Sequence, residues 1–234
     1  MEFVNQKCPE IQICVIIRMS AFCCDKTGSS GSIPAALRRL YQKKLTSIRD
    51  GNISYKPMNK NYFYITPSSK KRGAKGKDRL TSEDIITINL HEESNSFSFD
   101  IFSANEPSSE TPLHANIHLN RLSSIDDIYI IHCHAPNILA YVNLTHYLQL
   151  RSIQRYFPEL SDYSIGDNVQ YFASGSDELA IVTCQNLKNN DIVALENHGV
   201  VAIGTNLDDI INMIEHLDFH CAIALNDSVR MYHN

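Results

Sequence analysis

The 234-residue chain is 43% hydrophobic and carries a formal net charge of -5. This length suits one large domain with a substantial core, and the acidic balance gives no general nucleic-acid signature. Seven cysteines, at positions 8, 14, 23, 24, 133, 184 and 221, form neither a disulfide framework nor a Cys-x-x-Cys unit, which points to a reducing, cytoplasmic compartment.

Residues 1–31 stand apart as an N-terminal extension. The run from Ile11 to Cys24 is too short to span a membrane and is interrupted by Arg18. Glu2, Lys7 and Glu10 precede it in place of the basic lead of a signal peptide. Ile11 to Ile17 reads as a strand, and Thr27 to Ser32 as a polar joint. Its glycines lack the Gly-Lys-Ser/Thr of a phosphate loop. An edge strand, an interaction arm and an unpacked tail all fit this segment.

A second region, 32–234, alternates helical and strand patterns. Ser32 and Pro34 open a helix that runs to about Ser47. Asp50-Gly51-Asn52 is a turn, with strands from Ile53 and over Asn61 to Thr66. The basic run from Lys70 to Arg79 reads either as a solvated loop or as an electropositive rim that draws in a phosphorylated ligand. Ser82-Glu83-Asp84 starts a short helical turn before a strand over Ile85 to Leu90, and Phe97 to Ile101 alternates as another. Pro107-Ser108-Ser109-Glu110 leads into a helix through Ala115 to Leu122. A serine pair at a helix start offers hydroxyls and free N–H groups to an anion, although simple N-capping explains one of them.

Ile128 to Ile131 is a strand that ends in His132-Cys133-His134. Alternation puts the two histidines on one face and Cys133 on the other. Two imidazoles on one face either finish a strand or make two legs of a metal site, which zinc completes with a third ligand and an open position. Helices are expected over Asn137 to Tyr147 and from Gly175-Ser176 to about Leu187, with 151–172 irregular between them. Ile192 to Leu195 and Val200 to Gly204 are strands around the turn Glu196-Asn197-His198-Gly199, and a long helix follows Asn206. The alternation is that of an α/β protein whose short strand links require a mixed or antiparallel sheet.

His198, at a strand end beside a glycine, is a reasonable third leg for His132 and His134. The pairs His114/His118 and His216/His220 have i, i+4 spacing without the His-Glu-x-x-His pattern, and read as packing or surface histidines. No Gly-x-Ser-x-Gly elbow supports a serine hydrolase.

Gly51-Asn52-Ile53-Ser54, Thr66-Pro67-Ser68, Pro107-Ser108-Ser109-Glu110 with His114, His132-x-His134 and Asn197-His198-Gly199 occur in that order. Over roughly residues 32–228 the chain resembles the class II aldolase/adducin family. That family includes fuculose- and rhamnulose-1-phosphate aldolases and ribulose-5-phosphate 4-epimerases. The resemblance implies a single-domain, three-layer α/β/α fold around a mixed, largely antiparallel sheet. It implies zinc on His132, His134 and His198, although imidazole also suits other divalent ions. Glu110 is the implied catalytic acid/base, with the phosphate of a small sugar held by Gly51, Asn52, Ser68, Ser108 and Ser109. It further implies a homotetramer and an aldolase cleaving a ketose 1-phosphate to dihydroxyacetone phosphate and an aldehyde through a zinc-stabilised enediolate.

Glu110 and the run His132 to Asn137 favour the aldolase branch, whereas Thr111-Pro112 keeps an epimerase open. Decarboxylase, dehydratase and adducin-like scaffold readings also remain. Two positions depart from the family, with Ser69 in place of a usual glycine and Asp50 in place of a small residue, and the stop at Asn234 leads us to expect no C-terminal tail of the kind that some aldolases fold over the site. Tyr141, Tyr147, Tyr163 and Tyr171 are the candidates for a catalytic tyrosine.

Overall fold

In the computed structural model the described residues are 32–70, 73–91, 94, 96–99, 105–121, 126–144 and 148–231. The N-terminal extension and its strand-like run lie outside them. Helix α1 is Ser32–Gln42, followed by strands β1, Asn52–Lys56, and β2, Tyr62–Ile65. Strands β3, Ile86–His91, and β4, Ser96–Phe99, precede helix α2, Thr111–Leu119. Strand β5, Ile128–Cys133, leads into helix α3, Pro136–Leu144, and helix α4 is Asp177–Asn186. Strands β6, Ile192–Leu195, and β7, Gly199–Gly204, precede helix α5, Leu207–Met231.

The strands form one seven-stranded sheet in the order β4-β3-β2-β1-β5-β7-β6. Every ladder is antiparallel. Among the described residues the parallel component is limited to two isolated bridges, Ile165 to Ile192 and Val169 to Leu195. They account for part of the region that looks irregular in sequence. Two short 3-10 turns, Leu150–Arg155 and Pro158–Leu160, account for more of it.

Side-chain alternation builds the three layers. Ile53, Tyr55, Tyr129, Ile131 and Cys133 pack with α1, α3 and α5 on one face. Ile128, Ile130, Val193 and Val201 pack with α2 and α4 on the other. Central strand β5 is buried at all six positions. Truncating one of its isoleucines to alanine removes packing worth about 2–5 kcal/mol.

Helix α1 ends earlier than the pattern to Ser47 suggests. Lys44 adopts a left-handed backbone, φ 60°. Its N–H donates to Tyr41 O, and Leu45 N–H donates to Leu40 O. This pair of bonds is a Schellman stop, which folds Leu45 back into the core. At the other end of the chain, Asn206 Oδ1 accepts from the N–H groups of Asp208 and Asp209, capping α5. Among the described residues, no helix is long and apolar enough to cross a membrane.

Candidate active site

The site grows from the register of three central strands. His132 on β5 pairs with Asn52 on β1 and with Val201 on β7. His132 and Asn52 are therefore side-by-side neighbours on the α2/α4 face, while Cys133 turns into the opposite core, as alternation requires. His134, just past the strand end, brings its Nε2 to 3.2 Å from His132 Nε2.

His198 arrives from the β6–β7 turn, where Asn197 adopts φ 57°. The next residue has to be glycine. A Cβ at Gly199 would collide with Cys133 O and stand 2.9 Å from the His134 ring and 3.0 Å from the His132 ring. One ligand nitrogen from each of His132, His134 and His198 lies within 4.8 Å of the others.

This donor set fits a divalent metal. Tetrahedral zinc at its usual Zn–N distance separates ligand nitrogens by about 3.3 Å, close to the spacing of His132 and His134. His132 Nδ1 donates to Val200 O at 3.0 Å, which turns an unprotonated Nε2 toward the other two rings. Burial holds all three imidazoles below the ordinary histidine range; repulsion from neighbouring rings adds to it at His132 and His134, whereas at His134 and His198 the charges of Asp50 and Glu110 oppose it. Neutral imidazole is the metal-binding form.

Glu110 lies beside this triad at the start of α2. Its Oε1 is 3.8 Å from His198 Nε2 and accepts a hydrogen bond from Ser174 Oγ. Its Oε2 is buried with no hydrogen-bond partner among the described residues. One carboxylate oxygen is therefore anchored and the other is left for a ligand. Ser174 has no signal in the sequence, because it reaches Glu110 across 64 positions from an irregular loop.

The five residues expected to hold a phosphate, Gly51, Asn52, Ser68, Ser108 and Ser109, line the same cleft as Glu110 and the three histidines. Gly51 has φ 73°, and a Cβ there would approach Thr46 Oγ1 to 2.7 Å. Its compactness lets the β1 entry lie against the His132 backbone. Asp50 hydrogen-bonds Ser47 and lies 3.9 Å from His134 Nδ1, so part of its charge faces the imidazoles. The basic run divides: Lys75 makes two 2.8 Å bonds to Asp84, while Lys70 and Lys77 line the cleft.

The pair His114 and His118 is fully buried, which rules out the surface alternative, and its rings are hydrogen-bonded as well as packed. His114 Nε2 donates to Asn52 Oδ1 at 2.5 Å, and its Nδ1 accepts from Ser54 Oγ at 2.7 Å. Ser54 Oγ in turn accepts from His118 Nε2 at 2.8 Å. This direction leaves the Asn52 amide hydrogens for the cleft. Burial drives His114 down to about 3 and holds His118 well below the usual range, so both rings are neutral. His216 and His220 lie on α5 instead, contacting Tyr163 and Glu159. Tyr141, Tyr163 and Tyr171 do not line the cleft, and Tyr147 lies outside the described residues.

Residues 32–225 match the family described as Class II Aldolase and Adducin N-terminal domain. The chain belongs to the class II aldolase and adducin family. It is 29% identical over 164 residues to a rhamnulose-1-phosphate aldolase of Mannheimia succiniciproducens, covering 66% of this chain and 59% of that protein. It is 29% identical over 190 residues to an L-fuculose phosphate aldolase of Methanocaldococcus jannaschii, covering 80% of this chain and 91% of that one. The chain thus spans about half the length of the rhamnulose-1-phosphate aldolases that it matches, 59% and 42% of two of them. In fold it is similar to a sugar-phosphate aldolase from Thermotoga maritima, with a TM-score of 0.68 at 23% identity, covering 85% of this chain and 94% of that one.

Proposed function

We propose that the protein is a metal-dependent lyase, with zinc as the metal, that cleaves a ketose 1-phosphate to dihydroxyacetone phosphate and an aldehyde. The observation that carries this reading is the convergence of three neutral imidazoles beside a half-anchored carboxylate, Glu110. His132, His134 and His198 would hold the metal. Bound there, it supplies Lewis acidity toward a carbonyl oxygen and stabilises the charge that C3–C4 cleavage leaves.

The chain's own groups do the rest. Glu110 Oε2 moves a proton at the reacting carbons, a role worth about 10²- to 10⁴-fold. Ser174 holds the other oxygen and so fixes the direction of Oε2. Asn52 Nδ2, turned outward by His114, donates to an anionic oxygen of the substrate. The hydroxyls and backbone of Ser68, Ser108 and Ser109 hold the phosphoryl group, which keeps the scissile bond in register. We assign the enzyme to the cytoplasm as a homotetramer, on its reduced-cysteine pattern and its likeness to the family.

The test is cleavage of fuculose 1-phosphate and rhamnulose 1-phosphate, followed by aldehyde release. The reading expects turnover that falls about 10²- to 10⁴-fold in Glu110→Gln with metal content retained. Metal-loaded protein that cleaves neither, or a Glu110→Gln variant as active as wild type, contradicts it.

A further inference from the structure

Lys77 is 2% exposed, and among the described residues its ammonium makes one hydrogen bond, to Pro67 O at 2.7 Å. An ammonium has three N–H donors, so two remain in a setting where an unmade bond to a charged group is costly. Ser69 is similarly placed, 5% exposed with an Oγ that has no hydrogen-bond partner among the described residues. Both residues line the cleft that holds Ser68, Ser108 and the triad. Arg49 donates to Ser69 O at 2.8 Å and holds this loop against the wall. Lys75, a near neighbour in sequence, is matched by Asp84, whereas Lys77 makes its contact with a neutral carbonyl.

A buried cation and a buried hydroxyl, both with unused donors on one cleft wall, call for an anion with several oxygens. We infer that Lys77 and Ser69 form an oxyanion subsite that takes the phosphoryl group, with the Lys77 ammonium as its counter-charge. A tetrahedral phosphoryl group offers separate oxygens to the ammonium, to Ser69 Oγ and to the flanking serines. Lys77 then selects for charge, so a phosphorylated sugar binds and its neutral parent does not. The identity of the ligand rests on the sugar-phosphate reading above, but binding itself does not require cleavage.

Burial lowers Lys77 to about 8, opposed by the charge of Asp50. It is therefore largely an ammonium at neutral pH and loses its charge above that value. The groups facing it are Asp50 and His114, with Arg49 and Lys70 on the same wall. His114, pushed to about 3, stays neutral over the whole alkaline range.

The probe is inorganic phosphate, followed by calorimetry and by thermal melting at constant ionic strength, with chloride as control. Wild type binds it saturably. Lys77→Met loses about tenfold or more in affinity, Lys77→Arg retains binding, and zinc content is unchanged in both. Without phosphate, Lys77→Met melts no lower than wild type, because a buried charge has been replaced by an apolar chain of similar volume. From pH 7.5 to 9.5 the wild-type affinity falls about tenfold or more, while that of Lys77→Arg stays flat.

Equal phosphate affinity in wild type and Lys77→Met overturns the inference, as does the absence of any phosphate binding by wild type. A Lys77→Met variant that melts lower with an intact phosphate response makes the lysine a purely structural tie to Pro67. Metal content and aldehyde release decide the lyase reading separately, so the two can fail independently.

Discussion

The Nε2 of His114 lies 2.5 Å from the Oδ1 of Asn52, and the direction of that bond determines what the cleft presents to a ligand. Because the ring donates, the amide oxygen is occupied and the amide hydrogens face outward. Ser54 and His118 extend the chain and hold the tautomer of His114 in place. The relay is buried, so each member matters to stability as well as to orientation.

Ser54→Ala tests that relay. It leaves a donor on His118 and an acceptor on His114 without their partner, and an unsatisfied buried group costs about 1–3 kcal/mol. The urea midpoint should fall accordingly with the m-value unchanged. A shift of a few tenths of a kcal/mol would show that the relay is an incidental contact.

The same histidines set an acid limit. His114 and His118 are depressed by burial in the folded chain, His114 to about 3, whereas an unfolded histidine titrates near its ordinary value. Below about 6.5 the unfolded state binds protons that the folded state refuses. For His114 the contribution is intact above that pH and is lost progressively toward about 3, at about 1.4 kcal/mol per pH unit, and that of His118 declines in the same direction. Urea unfolding between pH 7.5 and 5 should show this decline, and His114→Gln should flatten it by about one proton. A stability that is constant over the range would contradict the burial of these rings.

Gly199→Ala addresses the packing of the triad. The added methyl meets the Cys133 carbonyl and two of the imidazole rings, and backbone cannot yield as a flexible side chain does. Bound metal should be largely lost, and thermal stability should decrease. A variant with full metal content would mean that the β6–β7 turn shifts freely.

Ser174→Ala releases Oε1 of Glu110. Turnover should fall by less than in Glu110→Gln, with metal content and phosphate affinity unchanged. An equal loss in the two variants would make Ser174 itself a proton carrier.

Much of this arrangement is legible in the chain. Strand alternation puts His132 and Cys133 on opposite faces, and a histidine before a glycine at a strand end locates His198, because both signals are local. The harder features depend on distant partners. Lys77 sits in a run that reads either as a solvated loop or as an electropositive rim, and only the fold buries it against Pro67. The i, i+4 spacing of His114 and His118 is visible, but their partners Asn52 and Ser54 come from a strand some 60 positions earlier. Ser174 lies in a loop with no periodic pattern, and α1 stops at a lysine whose left-handed backbone no residue preference announces.

Metal analysis of wild type and His198→Ala, prepared identically, tests the central claim most directly. The account predicts about one zinc per chain in wild type and its loss in the variant. A wild type that carries no metal and takes up none would contradict the account.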